Sequence, residues 1–221
     1  MSNFGSAEHC LVSVRIPAQE RHRFGCAPAR RFLLHQQVVQ PSPRDGRLTM
    51  SYHPQVRLVP ATVPLLRALN EDRALFGELI GSPVPDGWPE FPEAIGFTLQ
   101  QLQNSPETDR AWSMQFFLDS ATGRLLGSGG FAAPPIDRAV EIGYEVAPVF
   151  RGQGFGTAAA RALVEGAVAS NEVDRVIAHT LPGPNASTGV LVSLGFRHVA
   201  DRENPEVGAV WEWSWTRPLV E

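Results

Sequence analysis

A mixed α+β fold around a central strand–helix–strand unit is what the order of periodic segments predicts. From Trp112 to Asp119, the residues Trp112, Met114, Phe116 and Leu118 alternate with Ser113, Gln115 and Asp119, as in a half-buried strand, and two further strand-like runs follow. After Gly156, the residues Ala160, Leu163, Val164 and Ala167 recur at helical spacing, and that helix leads into another strand-like run, Arg175 to Leu181. No internal repeat is visible.

The domain opens with Val56-Arg57-Leu58-Val59 as a first strand. Ala61 to Ile80 carries Val63, Leu65, Leu66, Leu69, Leu75 and Phe76, a pattern suited to one or two short helices. A loop rich in Pro and Gly, Gly81 to Pro92, precedes a helical stretch at Phe97 to Gln103. Asp119 to Gly123 reads as the turn between the Trp112 strand and a second strand, Arg124 to Phe131, and a third runs from about Arg138 to Val146. The chain ends in a short helix, Ala186 to Leu194, and two strands near Phe196 to Ala200 and Val207 to Trp215.

Residues 1–49 show neither period and end in the turn-like run Pro41 to Gly46. They are expected to be a disordered extension, with Met50 as the functional start of a domain spanning 50–221. An Arg-rich, acid-poor targeting peptide is the alternative. Cys10 and Cys26 are the only cysteines, which supports neither a disulfide framework nor a cysteine-rich metal site and fits a cytoplasmic setting. The longest apolar runs fall far short of the roughly 18 to 20 residues a membrane helix needs, so no membrane partner is expected. From Met50 onward twelve arginines face twenty acids, a balance that disfavours nucleic acid and suits cationic acceptors.

The chemistry-bearing stretch runs from Glu141 to Thr157: a strand, then Arg151-Gly152-Gln153-Gly154-Phe155-Gly156-Thr157, then a helix start. Glycines let the backbone turn tightly and present its N–H groups at a helix N-terminus, where an anion such as a diphosphate is favoured. A nucleotide P-loop needs a lysine, and all 19 basic residues counted as Lys plus Arg are arginines. A dinucleotide site needs Gly-x-Gly-x-x-Gly and an acid closing the next strand, whereas here the third glycine comes one residue early and the strand ends His179-Thr180-Leu181. The third candidate is an acetyl-CoA loop. Arg151-Gly152-Gln153-Gly154-Phe155-Gly156 resembles the Gln/Arg-x-x-Gly-x-Gly/Ala signature of the GCN5-related N-acetyltransferases at every fixed position.

The resemblance extends from about Val56 to Trp215 and looks like the branch containing the ribosomal-protein N-terminal acetyltransferases. It implies a mixed, mostly antiparallel central sheet of six to seven strands with helices on both faces. It also implies that the strand before the loop splays from its neighbour to make a cofactor slot. Tyr144, Val146 and Ala147 would bind the pantetheine arm of acetyl-CoA through their backbone, and Arg151, Gly152, Gln153, Gly154, Phe155, Gly156 and Thr157 would hold the diphosphate. Gly129 and Gly130 in the adjoining strand allow close approach, or mark a β-bulge.

Attack on a thioester requires a neutral amine, so some group must take a proton. Members of the family that use a glutamate place it on this strand about ten residues before the loop, which points to Glu141; Glu145, on the same face by alternation, is the second choice. The tyrosine that many relatives use to protonate the thiolate has no counterpart here. Ser187 occupies the serine position of an Asn-x-x-Ser pattern and is the candidate donor, or else a helix cap. The pattern's asparagine falls at Pro184, which leaves Asn185, one residue later, as the candidate contact to pantetheine. Trp88 and Phe91 are read as walls of the acceptor pocket or as pins for their loop. His179 is read as a structural residue of an apolar strand, and Trp211, Trp213 and Trp215 as core or interface. No metal site is expected.

The function these residues imply is transfer of acetyl from acetyl-CoA to a primary amine by direct attack in a ternary complex. The acceptor is a peptide N-terminus or an amine-bearing small molecule such as a polyamine or aminoglycoside, and the enzyme acts as a monomer or homodimer. A non-catalytic acyl-CoA-binding regulatory module is the alternative.

Overall fold

The computed structural model describes residues 54–205 and 207–218. The expectations for residues 1–49 and for a start at Met50 lie outside them. The described chain runs β1 (Val56–Pro60), α1 (Val63–Glu71), α2 (Arg73–Ile80), α3 (Glu93–Asn104), β2 (Met114–Asp119), β3 (Leu125–Phe131), β4 (Ala139–Val146), α4 (Phe155–Ala169), β5 (Arg175–Thr180), α5 (Ala186–Ser193), β6 (Arg197–Asn204) and β7 (Gly208–Thr216), with short 3-10 turns at Glu107–Trp112 and Pro148–Phe150. All seven strands join one sheet in the order β1-β2-β3-β4-β5-β7-β6. Only β4 and β5, the pair that α4 connects, run parallel. The sheet is therefore mixed and mostly antiparallel, as expected.

Local chemistry explains the boundaries. The apolar stretch after β1 becomes two helices because Asp72 ends α1 and caps α2, its carboxylate accepting from the N–H groups of Ala74 and Leu75 at 3.0 and 3.1 Å. The β2–β3 turn is built on Asp119, whose side chain accepts from Ala121 N at 3.1 Å and from the Thr122 hydroxyl at 2.5 Å.

Helices cover both faces of the sheet. On one face Phe116 of β2 packs against Phe76 of α2, ring centroids 5.1 Å apart. On the other, Val146 of β4 lies beneath α4 near Gly156. This double cover corrects the expected half-buried pattern of the first meander strand: β2 is buried on both faces, with Phe116 and Phe117 both fully enclosed. Trp112 is not in that strand but at the end of a 3-10 turn, where its ring meets Phe131 edge-on at 5.0 Å.

Gly129 reflects close strand approach. A Cβ there would lie 2.4 Å from the Gly143 carbonyl oxygen and 2.6 Å from Cζ of Phe117, whereas the irregularity in the β2–β3 ladder falls at Phe117/Leu118. The tryptophans of β7 belong to the core: Trp213 is buried and donates its Nε1–H to the Thr180 hydroxyl at 2.9 Å, with Trp211 and Trp215 packed around it. No helix of the described residues is long and apolar enough to cross a membrane.

Candidate active site

β4 and β5 begin side by side and then part. Their parallel pairing covers Ala139↔Arg175, Val140↔Val176 and Glu141↔Ile177 and stops there. Beyond it β4 continues to Val146 paired with β3 alone. Ala132 N donates to Glu141 O at 3.0 Å and Ala147 N to Leu126 O at 2.8 Å. By ladder alternation Glu141, Gly143, Glu145 and Ala147 therefore turn their backbone groups to β3, and Ile142, Tyr144 and Val146 turn theirs toward the side that β5 has left. The Val146 carbonyl accepts from Arg151 Nε at 2.9 Å, which ties the glycine loop to the open side of β4.

The glycine loop lies at the end of this fork. Gly154 adopts φ +85°, a left-handed conformation that L-residues avoid, and serves as N-cap of α4 without a side-chain cap. The first intrahelical bond runs from Ala158 N to Gly154 O at 3.1 Å. The N–H groups of Phe155, Gly156 and Thr157 precede it, at the positive end of a fifteen-residue helix. The two polar side chains of the loop turn back on the chain: Gln153 donates to the Val149 carbonyl at 2.9 Å and Arg151 to that of Val146. Gln153 and Arg151 thus shape the loop, and what the start of α4 presents is backbone N–H groups. The Phe155 ring is buried against Phe150, 6.1 Å between centroids, and leaves that residue only its N–H for a ligand.

Beside the fork, on the face opposite α4, two polar networks cross the sheet. Arg151 Nη2 contacts Glu90 Oε2 at 2.5 Å. The backbone N–H of Glu90 donates to Glu145 Oε2 at 3.0 Å, and the Ser128 hydroxyl to Glu145 Oε1 at 3.3 Å. Burial pushes the Glu145 carboxyl up; the bonds from Glu90 N and Ser128 oppose this, the Glu90 charge adds to it, and the Arg151 charge opposes it. Glu145 therefore pins the loop before α3 to β4, and Arg151 ties the same loop to the glycine loop, roles the sequence did not suggest.

The second network starts at Glu141, which is buried at the last β4 position paired with β5. Its Oε1 lies 3.1 Å from His179 Nδ1. His179 Nε2 faces Glu212 Oε2 at 3.7 Å, an ion-pair separation too long for a hydrogen bond, and Glu212 Oε2 accepts from Arg202 Nε at 2.8 Å. Burial pulls the imidazolium down, but the two carboxylates outweigh it and push His179 up to about 9. Glu212 is held down at about 2, first by His179, against burial, and then by Arg202. His179, read as a lone structural histidine, is thus flanked by two carboxylates.

The remaining candidates are placed as follows. Trp88 is not a pocket wall: it is 2% exposed, between Phe76 at 6.1 Å and Phe116 at 6.3 Å, and fixes its loop to the core. Phe91, half-buried, precedes α3. Asn185, expected to contact pantetheine, caps α5: its Oδ1 accepts from Thr188 N at 2.9 Å and its Nδ2 donates to the carbonyls of Leu181 and Gly183 at 3.1 and 3.2 Å. Ser187, at the second position of α5, is buried and is not the cap. Among the described residues no group of three or more His, Cys, Asp or Glu could hold a metal ion.

A model of the acetyltransferase (GNAT) domain matches residues 65–197, more than half of the chain. Among curated proteins none matches the sequence. Solved structures of similar fold include a ribosomal-protein-S5-alanine acetyltransferase from Vibrio fischeri, 18% identical, with a TM-score of 0.54 over 75% of this chain and 94% of that one. They also include a ribosomal L7/L12 α-N-protein acetyltransferase in complex with coenzyme A, 21% identical, TM-score 0.55, covering 74% and 94%. A spermidine N-acetyltransferase chimera from Vibrio cholerae is 15% identical, TM-score 0.51, covering 73% and 95%. The forked strands, the glycine loop at a helix N-terminus and the match over residues 65–197 agree: the chain belongs to the GNAT acetyltransferase family and is an acetyl-CoA-dependent N-acetyltransferase.

Proposed function

We propose that this chain acetylates the free amino terminus of a peptide or protein, with Glu141 as the group that takes the proton from the attacking nitrogen. The carrying observation is the place of Glu141: a buried carboxylate at the point where β4 and β5 part. An α-amino group with a pKa near 8 is neutral in roughly a tenth of molecules at pH 7, whereas an alkylamine near 10.4 is neutral in about one in 2500. A single buried carboxylate, acting directly or through one water, is enough for the former. Two of the structures of similar fold are ribosomal-protein acetyltransferases, which supports the same acceptor class.

The residues present fit acetyl-CoA. The backbone N–H groups of Phe155, Gly156 and Thr157 would hold the diphosphate, and the edge of β4 at Tyr144 and Val146 would align the pantetheine arm. Acetyl-CoA supplies the thioester. Glu141 would accept the proton shed by the amine as its nitrogen attacks the acyl carbon, and later release it to solvent. The C–S bond breaks, and the hydroxyl of buried Ser187 would protonate the departing thiolate and be reprotonated from solvent. No covalent enzyme intermediate is required.

A small polyamine acceptor is the second reading. Glu141, Glu145 and Glu212 share one face of the sheet with Glu90 of the loop before α3 bonded to Glu145, and a spermidine acetyltransferase has a similar fold. A thiol-release assay with acetyl-CoA over peptides with free N-termini, N-blocked peptides, spermidine and aminoglycosides tests the two. Release with free but not blocked peptides supports the first reading. Release with spermidine alone replaces it by the second, and no release on any amine contradicts both.

A further inference from the structure

We infer that His179 is a positioning residue for Glu141: its imidazole, backed by Glu212 and Arg202, holds the Glu141 carboxylate in one orientation at the fork between β4 and β5. The inference rests on reading Glu141 as the proton acceptor.

A glutamate side chain has several rotatable bonds and is poorly placed for proton transfer unless something fixes it. Here four side chains of alternating charge, Glu141, His179, Glu212 and Arg202, come from four neighbouring strands, β4, β5, β7 and β6. Strands hold such a line more rigidly than loops do. Glu141 from β4 and Glu212 from β7 are the titratable groups that face the imidazole; Arg202 from β6 reaches Glu212 instead. The ring is itself enclosed, its side chain 3% exposed, so it cannot swing away to solvent.

Stability alone does not account for this line. Moving charges out of water costs several kcal/mol each, and well-packed apolar residues of similar volume commonly serve a fold as well or better. A clamp on a working carboxylate gives the charges a use. His179 does not touch the reacting atoms in this scheme; it acts through Glu141.

Isosteres of the two ring nitrogens test the inference. Asparagine places its amide N–H where Nδ1 stands, toward Glu141; glutamine places it nearer Nε2, toward Glu212. The full-length chain and its His179→Asn, His179→Gln and His179→Ala variants would be assayed with acetyl-CoA and the amine giving most thiol release, below the melting temperature of every variant. His179→Gln and His179→Ala are expected to lose at least about tenfold in kcat with the KM for acetyl-CoA little changed, and His179→Asn to stay within about threefold of wild type. Equal losses in the Asn and Gln variants, or wild-type kcat in His179→Ala, would overturn it. Glu141→Gln separates the two levels: if that variant turns over normally, the proton-acceptor reading fails with it. If it is impaired while every His179 variant keeps wild-type kcat, only the clamp fails.

Discussion

The Glu141 carboxylate meets the His179 imidazole at 3.1 Å where β4 and β5 stop pairing, so the point that opens the sheet also carries a buried acid–imidazole pair. β4 brings the carboxylate, β5 the ring, and β7, next in the sheet, the second carboxylate that steadies it.

This pair gives stability a defined pH dependence. His179 has its pKa raised from 6.5 to about 9, so its contribution is fully present below about 6.5 and is lost as pH rises through about 9. Glu212 is lowered from 4.5 to about 2, so its contribution is present above about 4.5 and is lost as pH falls through about 2. Their joint contribution should be flat between those limits and decline on the alkaline side. Urea unfolding at a series of pH values should show this decline in the wild type and a smaller one in His179→Asn; parallel profiles would contradict the ion pairing.

Gly154 governs the loop. Any side chain there must adopt φ +85°, at a cost of about 1–2 kcal/mol, and its Cβ would approach Pro54 Cγ at 3.2 Å. Gly154→Asp adds a negative charge where the diphosphate is expected, and the affinity for acetyl-CoA measured by calorimetry should fall at least about tenfold. Unchanged affinity would place the cofactor elsewhere.

The bridge from the cofactor loop to the loop before α3 should be measurable as a coupling. Arg151 and Glu90 are partly exposed, so their interaction is expected to be worth about 1 kcal/mol rather than the larger value of a buried pair. A double-mutant cycle with Arg151→Met and Glu90→Gln, read by denaturant unfolding, should recover that coupling energy; strict additivity would remove the bridge.

Asn185 offers a clean separation of structure from binding. Asn185→Ala breaks the capping box of α5 and should cost about 0.5–2 kcal/mol of stability. Its affinity for acetyl-CoA should remain that of the wild type. A large loss of affinity at intact stability would restore the pantetheine contact that the sequence suggested.

Much of this fold was legible because its signals are local. Alternation marked β2, the turn Asp119 to Gly123 marked the start of β3, helical spacing marked α4, and glycines marked the loop before it. β2 was read as half-buried because alternation cannot show that helices cover both of its faces; Phe117, sitting between Phe116 and Leu118, was the visible sign. The helix pair α1–α2 was left open, although Asp72 followed by Arg73-Ala74-Leu75 carries the capping chemistry that divides it. Trp88 and Phe91 look alike in their loop, yet whether an aromatic walls a pocket or anchors a loop depends on what α2 and β2 bring to it. The His179 network was hidden for a different reason. Its partners come from β4 and β7, and only the sheet order places those strands on either side of β5. Glu212, a carboxylate between Trp211 and Trp213, is a visible sign of a charged neighbour across the sheet.

Glu141→Gln tests the central claim most directly, because it keeps the shape of the side chain and removes its basicity. With acetyl-CoA and the best amine acceptor, kcat is expected to fall about 10²- to 10⁴-fold while calorimetric affinity for acetyl-CoA stays at the wild-type value. Wild-type kcat in this variant would contradict the assignment of Glu141 as the proton acceptor.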